Sequence, residues 1–557
     1  MFLDLGNCLS LRIGRINTIM GSIEGMLVDP INESISPARV HWEHGKIVAI
    51  DRLVDAEVTG KPFLLPGFVD AHVHVESSMV PPVEFARAAV LHGTVAAVSD
   101  PHEIANVLGL AGVEFMLDEA TRTPFEFCFG APSCVPATGF ETSGAILGAP
   151  EVAMLLDRPD IGYLAEVMNF PGVIAGDPDL LAKIRHAIAL GKPVDGHCPG
   201  LGGAELEAYA AAGITTDHEC SQLEEALEKI DLEMKILIRE GSAARNFETL
   251  APLLLAHPEQ CMFCSDDKHP DAFVAGHINR LVARAVDMGF DLFAILRAAS
   301  WNPVQHYRLK LPMLRVGDDA TFLLVENLRD FAVRETWIAG ALVARDGECL
   351  LPSHRSEQPN RFHSRMLAEE DFRLAPSGKN VRVIEVNDGQ LITRAGLFPA
   401  SSLSDPDSDV LKLCVVNRYH DALPALAYAR HIGLRRGALA STVAHDCHNI
   451  VAVGASDRDL CRAVNALMET RGGCVAVDGD RIEVLPLPIA GLMSPEPIAD
   501  VASGYARLTA MARSMGSGLE APFMTLSFLA LLVIPSLKLS DRGLFDGEAF
   551  RFVSVFD

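Results

Sequence analysis

Residues 65–79 of the chain read LPGFVDAHVHVESSM, an apolar run that gives way to two histidines. His72 and His74 are two positions apart, and residues with that spacing in an extended strand point to the same side. Both imidazoles can therefore reach one point in space. An isolated H-x-H pair is usually solvated or hydrogen-bonded within a core, so its meaning depends on what the rest of the chain places beside it.

The same pattern, an apolar stretch that ends in polar residues, recurs seven more times. The eight segments are VDAHVH (69–74), VAAVSDPHE (95–103), FEFCFGAPS (125–133), GYLAEVMNF (162–170), PVDGHCPG (193–200), ITTDHE (214–219), KILIREGS (235–242) and MFCSDD (262–267). Between them, stretches such as GAELEAYAAAG carry apolar residues at helical spacing. Strand–helix alternation indicates a parallel sheet, and eight such units in about 200 residues predict an α/β fold of the (β/α)₈ TIM-like barrel type. A doubly wound open sheet is the alternative, but no G-x-G-x-x-G follows the first strand.

Two β-rich stretches, residues 20–64 and 318–350, flank the barrel segment and predict one small β-sandwich domain built from both flanks. The polar stretch PSHRSEQPNRFHS that follows is typical of a linker. The predicted division is residues 1–64 for an N-terminal extension and the first part of the small β domain, 65–310 for the barrel, 311–360 for the second part of the small domain, and 370–557 for a C-terminal α/β domain.

Composition narrows the class of protein. The chain has 557 residues, 49% of them hydrophobic, which is enough for large folded cores. A formal net charge of −26 argues against nucleic acid or an anionic membrane as a partner, because both need a basic surface. The best candidate for a membrane span, residues 528–534, is well short of the ~20 residues required. Twelve cysteines without a secretory signal predict reduced thiols and a cytoplasmic location.

The polar strand ends would converge. In a barrel of this type, all strands point their C-terminal ends to one face, where active sites lie. That face would collect four imidazoles and two carboxylates, from His72, His74, Glu166, His197, His218 and Asp266. Imidazole and carboxylate without thiolate suit Zn²⁺, Mn²⁺ or Fe²⁺. Because three ligands and a water suffice for one catalytic zinc, six ligands predict two ions about 3.5–4 Å apart, with Glu166 shared between them.

At this point the chain resembles a known family. The stretch LPGFVDAHVHVESSM is similar to the strand-one signature of the amidohydrolase superfamily. More narrowly, the chain resembles the bacterial adenine deaminase family, through SDPHEIANV (99–107), LAEVMNFPGVI (164–174), CSDDKHP (264–270), VAHDCHNI (443–450) and LPLPIAGLMS (485–494). Many binuclear amidohydrolases carry a carboxylated lysine on strand four, whereas this chain has Glu166 there, as the adenine deaminases do. The resemblance assigns the six residues above to the metal positions.

The resemblance implies hydrolytic deamination of adenine to hypoxanthine and ammonia by a metal-bridged hydroxide in a binuclear site. It favours Mn²⁺ or Fe²⁺, with Zn²⁺ as a further candidate. A homodimer is expected for a chain with an additional α/β domain. Asp266 is the candidate for taking the hydroxide proton and passing it to the departing nitrogen. Glu103 and Glu219 are both candidates for the donor near N1 of the ring, and Glu219 could equally orient a ligand.

Several roles stay open from the sequence. His102 could cap a helix or support a ligand, and His445 and His448 could face the pocket or fix a turn. An alternative function is another binuclear amidohydrolase, acting on a cyclic amide or a different aminopurine. A non-catalytic metal-binding or scaffold protein is the second alternative, although no ligand of the set is missing. The first twenty or so residues have no counterpart in the family and are expected to be an extension.

Overall fold

A computed structural model describes residues 20–54, 60–363, 365–404 and 408–557. The expected N-terminal extension lies, apart from Met20, outside the described residues. The described chain begins with four strands, β1 (Met20–Asp29), β2 (Ser34–Glu43), β3 (Lys46–Arg52) and β4 (Phe63–Leu65). Strand β1 pairs antiparallel with β2 and parallel with β4.

Eight strands follow at the predicted positions: β5 (Phe68–Val73), β6 (Thr94–Ser99), β7 (Glu126–Ala131), β8 (Ile161–Val167), β9 (Val194–Gly196), β10 (Thr216–Asp217), β11 (Lys235–Arg239) and β12 (Cys261–Cys264). Strands β5 to β9 and β10 to β12 form two parallel runs. Two hydrogen bonds join the runs, from Thr215 N to Val194 O and from Asp266 N to His72 O, both 2.9 Å. The sheet therefore curls into a TIM-like barrel, which confirms the predicted fold class.

Helices follow the barrel strands. They span Pro82–Ala89, His102–Leu108, Leu110–Ala120, Ala149–Leu156, Phe170–Ala175, Pro178–Ala189, Gly203–Ala211, Leu223–Asp231, Phe247–Leu250, Leu253–Ala256, Pro270–Ala275, Ile278–Asp287, Leu292–Leu296 and Asn302–Tyr307, with 3₁₀ turns at Val75–Ser78, Val90–His92 and Pro258–Gln260 and a π turn at Arg297–Trp301. Local sequence sets their ends and their orientation. Before helix Pro178–Ala189, the Asp177 side chain accepts two backbone N–H groups as an N-cap. Its buried Leu180, Ile184 and Ala187 lie on one face, as in an amphipathic helix.

The chain then returns to the first sheet. Strands β13 (Phe322–Val325), β14 (Val333–Ile338), β15 (Ala341–Arg345) and β16 (Glu348–Cys349) complete one eight-stranded sheet, in the order β16-β15-β14-β13-β4-β1-β2-β3. The ring of Trp42 lies 5.6 Å from that of Phe322 and 5.2 Å from that of Trp337. The two flanks therefore enclose a shared apolar core.

Residues 370–557, called the C-terminal region below, carry a second eight-stranded sheet. Its strands are β17 (Asn380–Glu385), β18 (Arg394–Pro399), β19 (Leu411–Val416), β20 (Ala425–Arg430), β21 (Ala438–Ser441), β22 (Ile450–Gly454), β23 (Gly473–Asp478) and β24 (Arg481–Pro486), in the order β18-β17-β20-β19-β22-β21-β23-β24. Helices Asp457–Thr470, Ile498–Ser514 and Pro522–Phe528 pack around it, 3₁₀ turns lie at Glu369–Phe372 and Ala400–Ser404, and β25 (Leu537–Ser540), β26 (Gly543–Asp546) and β27 (Arg551–Phe552) form a small third sheet.

The C-terminal region packs on the barrel at the face to which the strand ends point. The Tyr505 hydroxyl lies 2.6 Å from Nδ1 of His269, and Ser494 N donates to Met79 O at 2.8 Å. Each of these barrel residues comes a few positions after a predicted ligand, Met79 after His74 and His269 after Asp266. Among the helices the structure describes, none combines the length and the apolar character needed to cross a bilayer.

Candidate metal centre and active site

The six side chains predicted from the strand ends meet at the C-terminal mouth of the barrel, and none is more than 8% exposed. They are called the cup below: His72, His74, Glu166, His197, His218 and Asp266. The cup contains two groups. In the first, Oδ1 of Asp266 lies 3.5 Å from His72 Nε2 and 3.2 Å from His74 Nε2. The structure thus brings together residues separated by almost 200 positions, while their role as ligands stays a prediction.

The second group forms around Glu166. Its Oε2 atom lies 2.7 Å from His197 Nδ1 and 3.4 Å from His218 Nε2. Its Oε1 atom lies 3.3 Å from His74 Nε2, on the side of the first group. One carboxylate therefore faces both groups with different oxygens, which is the arrangement that a ligand shared by two ions requires.

The donor set fits a divalent cation. Neither ring nitrogen of His72 has a hydrogen-bond partner among the described residues, and the same holds for Nε2 of His197. Buried polar groups in proteins are normally paired, and buried carboxylates are costly unless they are neutralised. Lone pairs of imidazole and carboxylate that face one another satisfy both conditions by binding an ion.

Groups behind the cup hold its members in place. The His74 Nδ1 atom lies 3.1 Å from the carbonyl of Asp100, which turns Nε2 toward the cup. Asp266 follows β12 in the left-handed region, at a φ of 51°, which aspartate tolerates better than most residues. The buried Asp70 carboxylate accepts Ser265 N at 2.9 Å and lies 2.8 Å from His277 Nε2, so it ties β5 to the end of β12.

Arg239, at the end of β11, is a site residue that the sequence did not reveal. One of its guanidinium nitrogens contacts both Glu219 and Asp266, and Nη2 lies 3.1 Å from Glu219 Oε2. Burial alone would raise the pKa values of both carboxyls. For Glu219, the positive charge of Arg239 outweighs burial, so the pKa of this carboxyl is lowered. For Asp266, Arg239 and the neighbouring histidines hold the pKa well below its usual range. The sequence shows Arg239 only as an arginine within IREGSAARN. Because an arginine at a strand end is usually solvated, that position does not by itself indicate a site residue.

A second polar cluster adjoins the cup at the end of β6. The His102 Nδ1 atom lies 3.0 Å from Asp100 Oδ2 and 3.4 Å from Glu166 Oε1. The other ring nitrogen lies 3.4 Å from Glu103 Oε1. His102 occupies the first turn of helix His102–Leu108 without capping it, so of the two roles left open, supporting a predicted ligand is the one that the contacts favour.

A small cavity lies above the cup. Its polar lining includes Glu103, Glu219 and Asp267 beside the cup residues. Its apolar lining, called the apolar wall below, consists of Met168, Leu391, Phe528, Leu531 and Val533. A larger cavity borders it, shares Glu219 and Leu391 with it, and continues between residues 199–246 of the barrel and residues 388–392 of the C-terminal region. The two cavities, called the chamber and the vestibule below, therefore adjoin each other at Glu219 and Leu391.

A barrel with buried imidazoles and carboxylates at the C-terminal ends of its strands has the architecture of a metal-dependent hydrolase. Comparison with known proteins narrows that class. The amidohydrolase family matches residues 63–343, and the adenine deaminase C-terminal domain matches residues 385–551. The adenine deaminase of Salinibacter ruber is 56% identical over 542 residues, covering 96% of this chain and 99% of that protein. The adenine deaminase of Methanosarcina mazei is 47% identical over 550 residues, covering 96% and 99%.

Among solved structures, a dihydropyrimidinase from Brevibacillus agri is similar at a TM-score of 0.46 and 15% identity, covering 59% of this chain and 96% of that one. A β-aspartyl dipeptidase from Fervidobacterium islandicum has a TM-score of 0.44 and 14% identity, covering 59% and 98%. The chain belongs to the amidohydrolase family and, within it, to the adenine deaminases.

Proposed function

We propose that the protein hydrolyses adenine to hypoxanthine and ammonia in the chamber above the cup. The observation that carries this proposal is the placement of Glu166 between the two histidine groups, in a chain that matches adenine deaminases over nearly their whole length. Adenine and water are the proposed small-molecule partners, and neither a nucleic acid nor a membrane is part of the proposal.

The cup residues divide between two metal positions. His72, His74 and Asp266 would hold one divalent ion, and His197 and His218 the other, with Glu166 shared. Such ions supply Lewis acidity, which lowers the pKa of a bound water to about 7 and makes hydroxide available at neutral pH. We propose Mn²⁺ or Fe²⁺, with Zn²⁺ as a third candidate, since imidazole and carboxylate ligands suit all three.

Asp266 is the proposed proton carrier. Arg239 contacts its Oδ2 atom, while Oδ1 faces the cup. In that position Oδ1 can take a proton from the attacking water and pass it to the 6-amino nitrogen, which leaves as ammonia only once it is protonated. Acid–base assistance of this kind contributes roughly 10²–10⁴-fold to the rate.

The ring also needs a proton as electron density moves onto N1. Both oxygens of Glu219 contact the Arg239 guanidinium, so Glu219 is committed to an ion pair. Glu103 lines the same chamber, and its ion-pair partners among the described residues are histidines. We therefore propose Glu103 as the group that protonates the ring, and Glu219 as a positioning residue for Arg239.

The apolar wall gives the chamber its complementarity to a purine. Phe528, Leu531 and Val533 face the cup from the C-terminal region, and Leu391 and Met168 complete the wall. Burial of a planar aromatic base against such side chains makes its binding free energy more favourable. The wall also keeps bulk water away from the reacting carbon, which strengthens the electrostatic interactions inside the chamber.

Three broader features belong to the same proposal. The chain is proposed to divide as 1–64, 65–310, 311–360 and 370–557, as the sequence predicts. We propose a homodimer and a cytoplasmic location.

The activity is tested by incubating manganese-loaded protein with adenine and following the ultraviolet spectrum. Conversion to hypoxanthine with release of one ammonia is expected, whereas turnover of a cyclic amide in a parallel reaction without any hypoxanthine would refute the proposal.

A further inference from the structure

Two histidines of the C-terminal region hold the carboxylate of Glu103. Nδ1 of His445 contacts Oε1 of Glu103, and Nε2 of His448 contacts Oε2. Glu103 and His448 are 1% exposed and His445 is 4% exposed, so both contacts are shielded from water. Because each oxygen has its own imidazole, the carboxylate cannot turn without losing one of them.

The hydrogen-bond pattern around His448 fixes its tautomer. Ala444 N donates to His448 Nδ1 at 3.2 Å, so the hydrogen of the neutral ring lies on Nε2 and points to Glu103. Burial, as the largest effect, lowers the pKa of His448 and favours that neutral form. The ring is thus a directed donor to one oxygen of Glu103.

His445 contacts the other oxygen of Glu103, Oε1, and differs from His448 in being protonated. Burial alone would lower its pKa, but the carboxylates of Glu103 and Asp267 outweigh burial and raise it to about 9. His445 N also donates to Ser527 Oγ at 3.2 Å, which fixes the start of the loop 442–449 that joins β21 to β22. The pair of Glu103 and His445 therefore holds one proton beside the chamber.

The loop that carries both histidines is held rigidly from behind. Arg418 is fully buried, and its guanidinium donates to the carbonyls of His448, at 3.3 Å, and Ala490, at 2.6 Å. The Tyr419 hydroxyl donates to the carbonyl of Cys447 at 2.5 Å. A loop with its backbone fixed at several points presents its imidazoles in one geometry, as a preorganised site requires.

The barrel alone provides fewer and longer contacts to the Glu103 carboxylate than the C-terminal region does. Among the described barrel residues, its one ion-pair contact is with His102 Nε2, at 3.4 Å. Without the loop, the carboxylate would keep only this longer contact, beside the like-charged carboxyls of Glu76 and Asp267. The two close contacts that orient the Glu103 carboxylate therefore come from the C-terminal region.

We infer that His445 and His448 are positioning residues, through which the C-terminal region holds Glu103 in place for proton transfer to the purine ring. The inference rests on the proposed function, since it assigns the role of a group within that reaction. The Glu103–His445 pair gives one proton to N1 as the oxygen adds to C6. N1 keeps that proton in hypoxanthine, and the pair is recharged by the proton that leaves the C6 hydroxyl when ammonia departs and the carbonyl forms.

Matched substitutions at His448 test the inference. Glutamine carries an amide N–H near the place of Nε2, whereas alanine has no donor. We expect His448→Ala to lower kcat by about 10²-fold or more, with the KM for adenine changed less than about threefold and bound metal unchanged. His448→Gln should recover at least about tenfold of that loss. Equal impairment of the two variants at full metal content, or a wild-type kcat in His448→Ala, would overturn the inference.

A measurement without turnover separates this inference from the proposed activity. In protein labelled with ¹⁵N-histidine and loaded with zinc, the Nε2–H resonance of His448 should show a strong hydrogen bond. It should shift in Glu103→Gln and stay in place in Glu205→Gln, a control on the exposed face of helix Gly203–Ala211. An unchanged resonance in Glu103→Gln would overturn the contact itself, whether or not adenine is the substrate.

Discussion

The Oε2 atom of Glu166 lies 2.7 Å from Nδ1 of His197, and both groups are buried at the mouth of the barrel. The other oxygen of Glu166 faces His74, so replacing this one side chain disturbs both halves of the cup. Glu166→Gln keeps the size but leaves a single acceptor oxygen. We expect bound metal to fall from two ions per chain to one or fewer, with kcat reduced at least about 10²-fold. Elemental analysis of the purified variant measures this, and Glu205→Gln is the matched control, which should keep both ions.

Asp266→Asn tests the proton carrier. Asparagine fills the same volume but cannot take up a proton, so turnover should fall by roughly 10²–10⁴-fold while the thermal unfolding midpoint stays close to that of the wild type. Steady-state kinetics and calorimetry measure the two quantities. A variant with wild-type kcat at full metal content would show that Asp266 is not the acid–base group.

The ion pair of Lys229 and Asp217 tests the account of barrel stability. Lys229 is fully buried, with Nζ 3.1 Å from Asp217 and 2.8 Å from Glu225. Lys229→Met strands the buried Asp217 charge, and breaking such a pair costs about 3–5 kcal/mol of unfolding free energy. Urea unfolding of the metal-loaded protein measures it. Arg158→Met, which breaks an exposed pair, should cost only about 0–1 kcal/mol. Similar values for the two variants would contradict the burial argument.

His306 gives the fold a defined sensitivity to acid. Burial lowers its pKa to about 4, from 6.5 in the unfolded chain. Between those two pKa values His306 is protonated in the unfolded chain and neutral in the folded chain. Its contribution to the free energy of unfolding is therefore fully present above pH 6.5 and is lost as the pH falls. The expected loss is about 1.4 kcal/mol per pH unit. In urea titrations from pH 8 to pH 4.5, His306→Gln should lose stability less steeply than the wild type, and parallel curves would contradict the assignment.

Much of the fold is predictable from the sequence because the barrel signal is repeated. Eight apolar stretches with polar ends give the strand positions, and parallel strands necessarily gather those ends on one face. The cup follows from that geometry alone, since imidazole and carboxylate at a strand end are visible in the sequence.

Other parts of the site depend on pairs that are distant along the chain. Asp70 and His277 meet across 207 positions, and Glu103 and His448 across 345, which no local pattern indicates. The apolar character of residues 528–534 by itself predicts a core segment. They are mostly buried, but Phe528, Leu531 and Val533 also form the chamber wall, because a substrate-facing apolar surface has the same composition as a core.

The central claim is that the cup binds two ions that make one water reactive toward adenine. The most direct measurement titrates metal-free protein with Mn²⁺ and follows, on the same samples, bound metal per chain and the rate of hypoxanthine formation. We predict that activity is absent without metal and reaches its maximum as occupancy reaches two ions per chain. Full activity in the metal-free protein, or a maximum at one ion with no further binding, would contradict the account.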